Sequence, residues 1–184
     1  MLQNQEIYYF LQKNWCRYFN HSRKKGILKE EHLSLAARQM EQLNIAGEAL
    51  GKIPGVTAMT DVTGFGLLGH LTEMCEGSNV SAEVYLNKIP LLTIDLKMYI
   101  DLKSIPGGTN RNWDSYGDKI SFAENIDEKY ATALLADPQT SGGLLITVDE
   151  NAADDVQNLL QEFGLYHSSI GRTTEQKETL IRVL

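Results

Sequence analysis

Two glycine-bearing junctions, each setting an acid and a hydroxyl beside an apolar run, limit what this chain can fold into. One is Thr60-Asp61-Val62-Thr63-Gly64-Phe65-Gly66-Leu67-Leu68-Gly69-His70. The other is Asp137-Pro138-Gln139-Thr140-Ser141-Gly142-Gly143-Leu144-Leu145. Val56 to Thr60 reads as a short buried strand and Phe65 to Glu76 as a helix closed by Gly77. The first junction is therefore a strand–turn–helix unit. An acid at the end of such a strand projects from the sheet edge, where ligands of open α/β sheets sit. The second junction runs from a helix, Glu128 to Leu135, into an apolar strand, Gly143 to Val148, which reads as central.

The rest of the chain supplies more of both element types. Leu33, Ala36, Ala37, Met40, Leu43, Ala46 and Leu50 recur at helical spacing, which predicts one amphipathic helix from Glu30 to Gly51. Val80 to Leu86 alternates as a strand, and Leu91 to Lys103 reads as a helix. The stretch Ile105 to Tyr116, with Pro106, Gly107 and Gly108, reads as a polar loop. Asn151 to Phe163 is a predicted helix, and Leu165–Ile170 and Thr179–Val183 are predicted strands. Residues 1–22 crowd aromatics without clear periodicity. Strands alternating with helices imply an α/β (α+β) fold, a layered mixed sheet packed on helices.

Charge and cysteine usage narrow the function classes. The net charge is −7, but residues 1–30 carry six Lys/Arg against two Glu, so the remainder is strongly acidic. That balance argues against nucleic acid as a partner. Arg23-Lys24-Lys25 reads as a solvated helix end. No apolar run approaches the ~20 residues of a membrane helix, no secretory pattern opens the chain, and the expected compartment is cytoplasmic. Cys16 and Cys75 lack zinc spacing and read as isolated thiols.

The candidate chemistry is phosphate chemistry. Asp61 is a hard carboxylate suited to Mg²⁺, with capping of the following helix as the competing role. Thr63 and Gly64 follow in the same turn, and His70 reads as a packed or solvent-facing side chain. Thr140, Ser141 and the glycines after them are able to form an anion nest or simply a tight turn. Gly107, Gly108, Thr109 and Asn110, with Arg111, offer amides and polar groups to phosphate, with a solvated turn as the equal alternative. None of these is a Walker A motif.

Taken together the motifs resemble the selenophosphate synthetases (selenide, water dikinases) of the aminoimidazole ribonucleotide synthetase superfamily. The resemblance is carried by Ile53-Pro54-Gly55-Val56 running into the Asp61 motif, by Gly107-Gly108-Thr109-Asn110-Arg111-Asn112, by the Asp137 motif and by Ile170-Gly171-Arg172. It covers residues 23–184 and matches only the C-terminal half of that family, leaving 1–22 as a divergent N-terminal extension. It implies ATP, selenide and selenophosphate as ligands, Mg²⁺ held by Asp61, and Thr63, Gly64, Gly107, Gly108, Thr109 and Asn110 on the phosphate side. It also implies a partner, either an N-terminal synthetase half or a full-length synthetase. No catalytic nucleophile is assigned, so the isolated chain is expected to be inactive. The alternatives are a non-catalytic interaction or regulatory module derived from that enzyme, and a small-ligand domain with a retained phosphate pocket.

Residues 12–22 depart from the family, which has a small-residue, glycine-containing strand and loop there. Codons exist for Asn14–Phe19 that, read one base on, give Ile-Gly-Val-Gly-Ile-Phe. We therefore hypothesise a compensated frameshift, natural or from sequencing. Sequencing the gene tests this: codons unable to give glycines in the shifted frame rule it out.

Overall fold

The computed structural model describes residues 6–10, 16–93 and 95–184. Among them, in chain order, are β1 (Glu6–Phe10), α1 (Cys16–Lys24), α2 (Leu35–Met40), α3 (Ala46–Leu50), β2 (Val56–Asp61), α4 (Gly66–Ser78), β3 (Val80–Val84) and α5 (Leu96–Asp101). They continue with α6 (Gly107–Tyr116), β4 (Ile120–Phe122), α7 (Glu128–Leu135), β5 (Leu144–Val148), α8 (Ala153–Glu162), β6 (Gly171–Glu175) and β7 (Ile181–Val183). The strands form one mixed sheet in the order β2-β5-β1-β6-β3-β7-β4. Pairing is antiparallel except for β3 with β7 and β7 with β4. The expected layered α/β fold is what is seen. No helix among the described residues is long and apolar enough to cross a membrane.

Alternation along β5 divides the core. Leu144, Ile146 and Val148 face α3 and α8, joining Ala46, Leu50, Val156 and Leu160. Leu145 faces the larger core with Leu67, Leu68 and Leu71 of α4 and Leu134 and Leu135 of α7. All five β5 residues are buried, so the strand expected to be central is an interior strand covered on both faces. Burial at ~25 cal/mol per Å² of apolar surface makes these two clusters the main stabilising term.

Residues before 23 also enter this core. β1 pairs with β5 on one side and β6 on the other. On α1, Tyr18 and Phe19 are buried, and the Tyr18 hydroxyl donates to the Ala133 carbonyl at 2.6 Å. Lys13, Asn14 and Trp15 of the divergent stretch lie outside the described residues. The basic cluster is a helix end as expected. His21, Arg23 and Lys24 occupy the last turn of α1, where cations offset the helix dipole.

Two elements differ from the sequence reading. The single helix predicted over 30–51 is a 3-10 turn at Glu30–His32 followed by α2 and α3, with residues 41–45 between them outside any helix. Helical periodicity yields a stable helix only where its stripe is buried, and here Leu33, Met40 and Leu43 are exposed, Leu43 to 75%. Ala46 and Leu50 are buried against β5 and α8, and they lie on their own short helix.

The stretch predicted as a loop at 105–116 is α6. Its paired glycines and Pro106 suggest a break, yet Pro106 sits just ahead of the first helical residue. Thr109, Asn112 and Tyr116 are buried on one face, so tertiary packing overrides the weak propensity of glycine. Smaller shifts follow the same logic. α4 ends at Asn79 in the left-handed region rather than at Gly77, α5 is shorter than the predicted helix, and β6 starts at Gly171, after the predicted strand.

Candidate functional site

Asp61 ends β2, opposite Leu144 on β5. Backbone hydrogen bonds then stitch its turn to the 137–143 turn. The Val62 N–H donates to Gly143 O and the Gly142 N–H to Val62 O, both at 2.9 Å, and the Gln139 N–H donates to Thr63 O at 2.9 Å. The two sequence motifs are thus one structure.

Two glycines make the contact possible. A Cβ on Gly142 would stand 2.4 Å from Val62 O. Gly66 has φ +72°, and a Cβ there would stand 2.8 Å from Asp137 O. Neither position tolerates a side chain without moving backbone.

α6 supplies the third side. Asn112 Nδ2 donates to Gly64 O and to Ala136 O, both at 2.9 Å, so one amide bridges both turns. The Tyr116 hydroxyl donates to Phe65 O at 2.7 Å. The Thr109 hydroxyl donates to Asp137 Oδ1 at 3.1 Å, and Gln139 Nε2 donates to Oδ2 of the same carboxylate at 3.1 Å. Asp137 is fully buried. Burial pushes its carboxyl well above the usual range, opposed by the Thr109 hydrogen bond, the Arg17 charge and Gln139.

His70 braces the turn from inside α4. It is buried, and its Nε2 accepts the Thr63 N–H at 3.0 Å. That fixes the proton on Nδ1, which lies 3.3 Å from Glu73. The two are not aligned for a hydrogen bond, and Nδ1 has no hydrogen-bond partner among the described residues. His70 is therefore packed, as expected, and it also holds the Asp61 loop.

The predicted residues divide into inner and outer sets. Thr63 has its amide and hydroxyl on His70. Thr109 is buried against Asp137, and Gly108 lies against Pro138. Asp61, Gly64, Gly107 and Asn110 are exposed. Among the described residues the Asp61 carboxylate makes no hydrogen bond and no ion pair. The side-chain hydroxyls of Thr140 and Ser141 are likewise without hydrogen bonds among those residues. Capping does not occupy Asp61, since α4 begins with no side-chain cap bond.

What results is a tightly held rim that presents a bare carboxylate, the free hydroxyls of the 140–141 turn and the N-terminal turn of α6. One hard carboxylate fits Mg²⁺ as a single protein ligand, with phosphate or further groups completing the shell. Helix N-termini favour phosphate.

The positioning residues Asn112, Tyr116 and Asp137 were not singled out for these roles in the sequence. Each lies inside or next to a motif that was, so a polar side chain beside a glycine-rich motif was the available signal. Cys75 is buried and its thiol is pushed up to about 12, chiefly by burial, so it is no nucleophile at neutral pH. The side chain of Cys16 lies outside the described residues.

Comparison with known proteins places these features. Residues 19–183 match the family described as AIR synthase related protein, C-terminal domain. Selenide, water dikinase of Pasteurella multocida is 49% identical over 149 residues, covering 81% of this chain and 41% of the relative. That of Haemophilus influenzae is 47% identical over 160 residues, covering 87% of this chain and 45% of the relative. The chain therefore spans less than half the length of these curated relatives. Among solved structures, E. coli HypE, a hydrogenase maturation protein, superposes with TM-score 0.59 at 18% identity, over 100% of this chain and 47% of that one. HypE in complex with ATP gives 0.51 at 17% identity, over 94% and 43%. These likenesses show a shared fold.

Two substitutions test the geometry. Asn112→Ala leaves two carbonyls without their donor and is expected to destabilise the chain by about 1–3 kcal/mol, read as a lower urea midpoint with unchanged slope. Asp137 has a raised folded pKa, so its contribution to stability is complete below the unfolded value of about 4 and is lost as pH rises through the folded value. Urea unfolding between acidic and neutral pH should show wild type losing stability relative to Asp137→Asn as pH rises. Parallel curves would contradict the upward shift of the Asp137 carboxyl on burial.

Proposed function

The chain belongs to the AIR synthase related family, as its C-terminal domain, and on that premise we propose that it is the ATP- and Mg²⁺-facing half of a selenophosphate synthetase. The carrying observation is the bare Asp61 carboxylate, held at a strand end by hydrogen bonds to two other glycine-rich motifs. In this reading Asp61 ligates Mg²⁺. Gly64 and the first turn of α6, with Gly107, Gly108 and Asn110, face the phosphates. Thr63 and Thr109 work from behind, through His70 and Asp137. The identity to relatives named selenide, water dikinase supports ATP and selenide as substrates, and the ATP complex of HypE is in keeping with a nucleotide.

Bound Mg²⁺ would neutralise phosphate charge. The chain's own part is to fix the carboxylate, exclude alternative partners for it and present amides to the anion. A lone carboxylate does not neutralise a triphosphate and direct attack upon it, and Cys75 is no nucleophile. We therefore assign selenophosphate formation to this chain only together with an N-terminal synthetase half. The reaction converts ATP, selenide and water to selenophosphate, AMP and phosphate, in the cytoplasm.

A second reading, a non-catalytic interaction module, draws on the exposed apolar side chains of Leu43 and Ile45.

Calorimetry with Mg·ATP, with and without a supplied N-terminal half of a relative, distinguishes the two. Selenide-dependent ATP hydrolysis should appear only in the mixture. Asp61→Asn should lower it about 100-fold, roughly 2.7 kcal/mol of lost stabilisation. Association of the halves without hydrolysis, unaffected by Asp61→Asn, would leave the interaction module as the function.

A further inference from the structure

A second cluster of ligand-type side chains lies on other elements, the 3-10 turn before α2 and the turn leading into α5. Glu31, His32 and Asp95 each place one ligand atom so that all three lie within 4.8 Å of one another. His32 Nε2 is 3.4 Å from Asp95 Oδ2 and 3.9 Å from Glu31 Oε1. Ligands on a tetrahedral ion at about 2.0–2.1 Å stand about 3.3–3.4 Å apart. The His–Asp pair already has that spacing, and Glu31, on an exposed side chain, has freedom to close the remaining distance.

The imidazole is a built part of the fold rather than a surface ring. His32 is 4% exposed, stacked on Phe19 at 5.4 Å and edge-on to Tyr99 at 5.8 Å. Its Nδ1 meets the buried Tyr99 hydroxyl at 2.7 Å. That hydroxyl is able to donate or accept, so it serves either tautomer. This is the outer-shell contact that orients a ligating histidine. The opposite nitrogen, Nε2, makes no aligned hydrogen bond among the described residues and is aimed at the two carboxylates.

A cation already occupies the carboxylates. Lys29 Nζ lies 2.7 Å from Asp95 Oδ2 and 3.9 Å from Glu31 Oε1. Lys29 is 40% exposed at its side chain, so the ammonium is free to swing out to water.

We propose that His32, Asp95 and Glu31 form a site for a divalent transition-metal ion of the zinc or cobalt class, with Lys29 as the resident competitor that the metal displaces. One imidazole with two carboxylates suits these ions over Ca²⁺ or Mg²⁺, which prefer all-oxygen shells. The site uses none of the residues assigned to phosphate or Mg²⁺, so it stands or falls separately from the synthetase reading.

Titration of the chelator-treated full chain with Co²⁺, followed by visible d–d absorption and by Zn²⁺ calorimetry, tests this. One equivalent should bind, with loss of the band in Asp95→Asn and in His32→Phe, which keeps a ring between Phe19 and Tyr99. Lys29→Met should shift the titration midpoint to lower metal concentration, because it removes the competing charge. Circular dichroism confirms that each variant is folded. Absence of binding in both wild type and Lys29→Met overturns the proposal. So does a band that survives His32→Phe and disappears in His21→Ala or His167→Ala.

Discussion

The paired hydrogen bonds between Val62 and the Gly142–Gly143 backbone are the constraint on which the rest of the site depends. They extend the β2–β5 ladder past the strand ends and force two turns to run together. Once those turns are joined, Thr63 O is in place for the Gln139 amide, and Gly64 O and Ala136 O are close enough to share Asn112. Each later bond has its entropic cost lowered by the earlier ones, since the groups are already ordered. The arrangement is a network whose members are satisfied by backbone or by buried side chains, the condition under which buried polar groups rigidify a fold.

Two acids in similar motifs have been given opposite surroundings. Asp61 sits exposed at the edge strand with no partner among the described residues, so its charge remains available. Asp137 sits fully buried with two donors and the more distant Arg17, and water is excluded from it. The difference comes from position in the sheet. β2 is an outer strand and its end opens to solvent, whereas the chain before β5 is covered by α4 and α6. A carboxylate that is to meet a cation benefits from the first setting, and one that anchors a turn from the second.

Much of this was legible in the sequence. The strand–turn–helix around Asp61 and the helix-to-strand junction at 137–143 rest on apolar runs broken by glycine, and local pattern reports such breaks directly. α7 and β5 are close to the predicted ranges for the same reason. α6 was not legible, because what makes residues 107–116 helical is burial of Thr109, Asn112 and Tyr116 against distant segments. The 30–50 region failed in the opposite sense. Its periodicity is genuine, but Leu33, Met40 and Leu43 are left exposed, and periodicity does not reveal whether a partner surface exists. The outward residues of the proposed site are named from residue type. The supporting set was missed because its roles depend on contacts 24 to 51 positions away in the chain.

The close approach of Gly142 to the Val62 carbonyl, and of Gly66 to the Asp137 carbonyl, bears on how the signature of this chain is to be understood over evolutionary time. Replacing either glycine disrupts backbone whether or not a ligand ever binds. A descendant that had stopped turning over substrate would still be held to these letters by the need to fold. Survival of the glycines therefore records the architecture, whereas the Asp61 carboxylate makes no hydrogen bond or ion pair among the described residues, so folding alone does not hold that side chain in place.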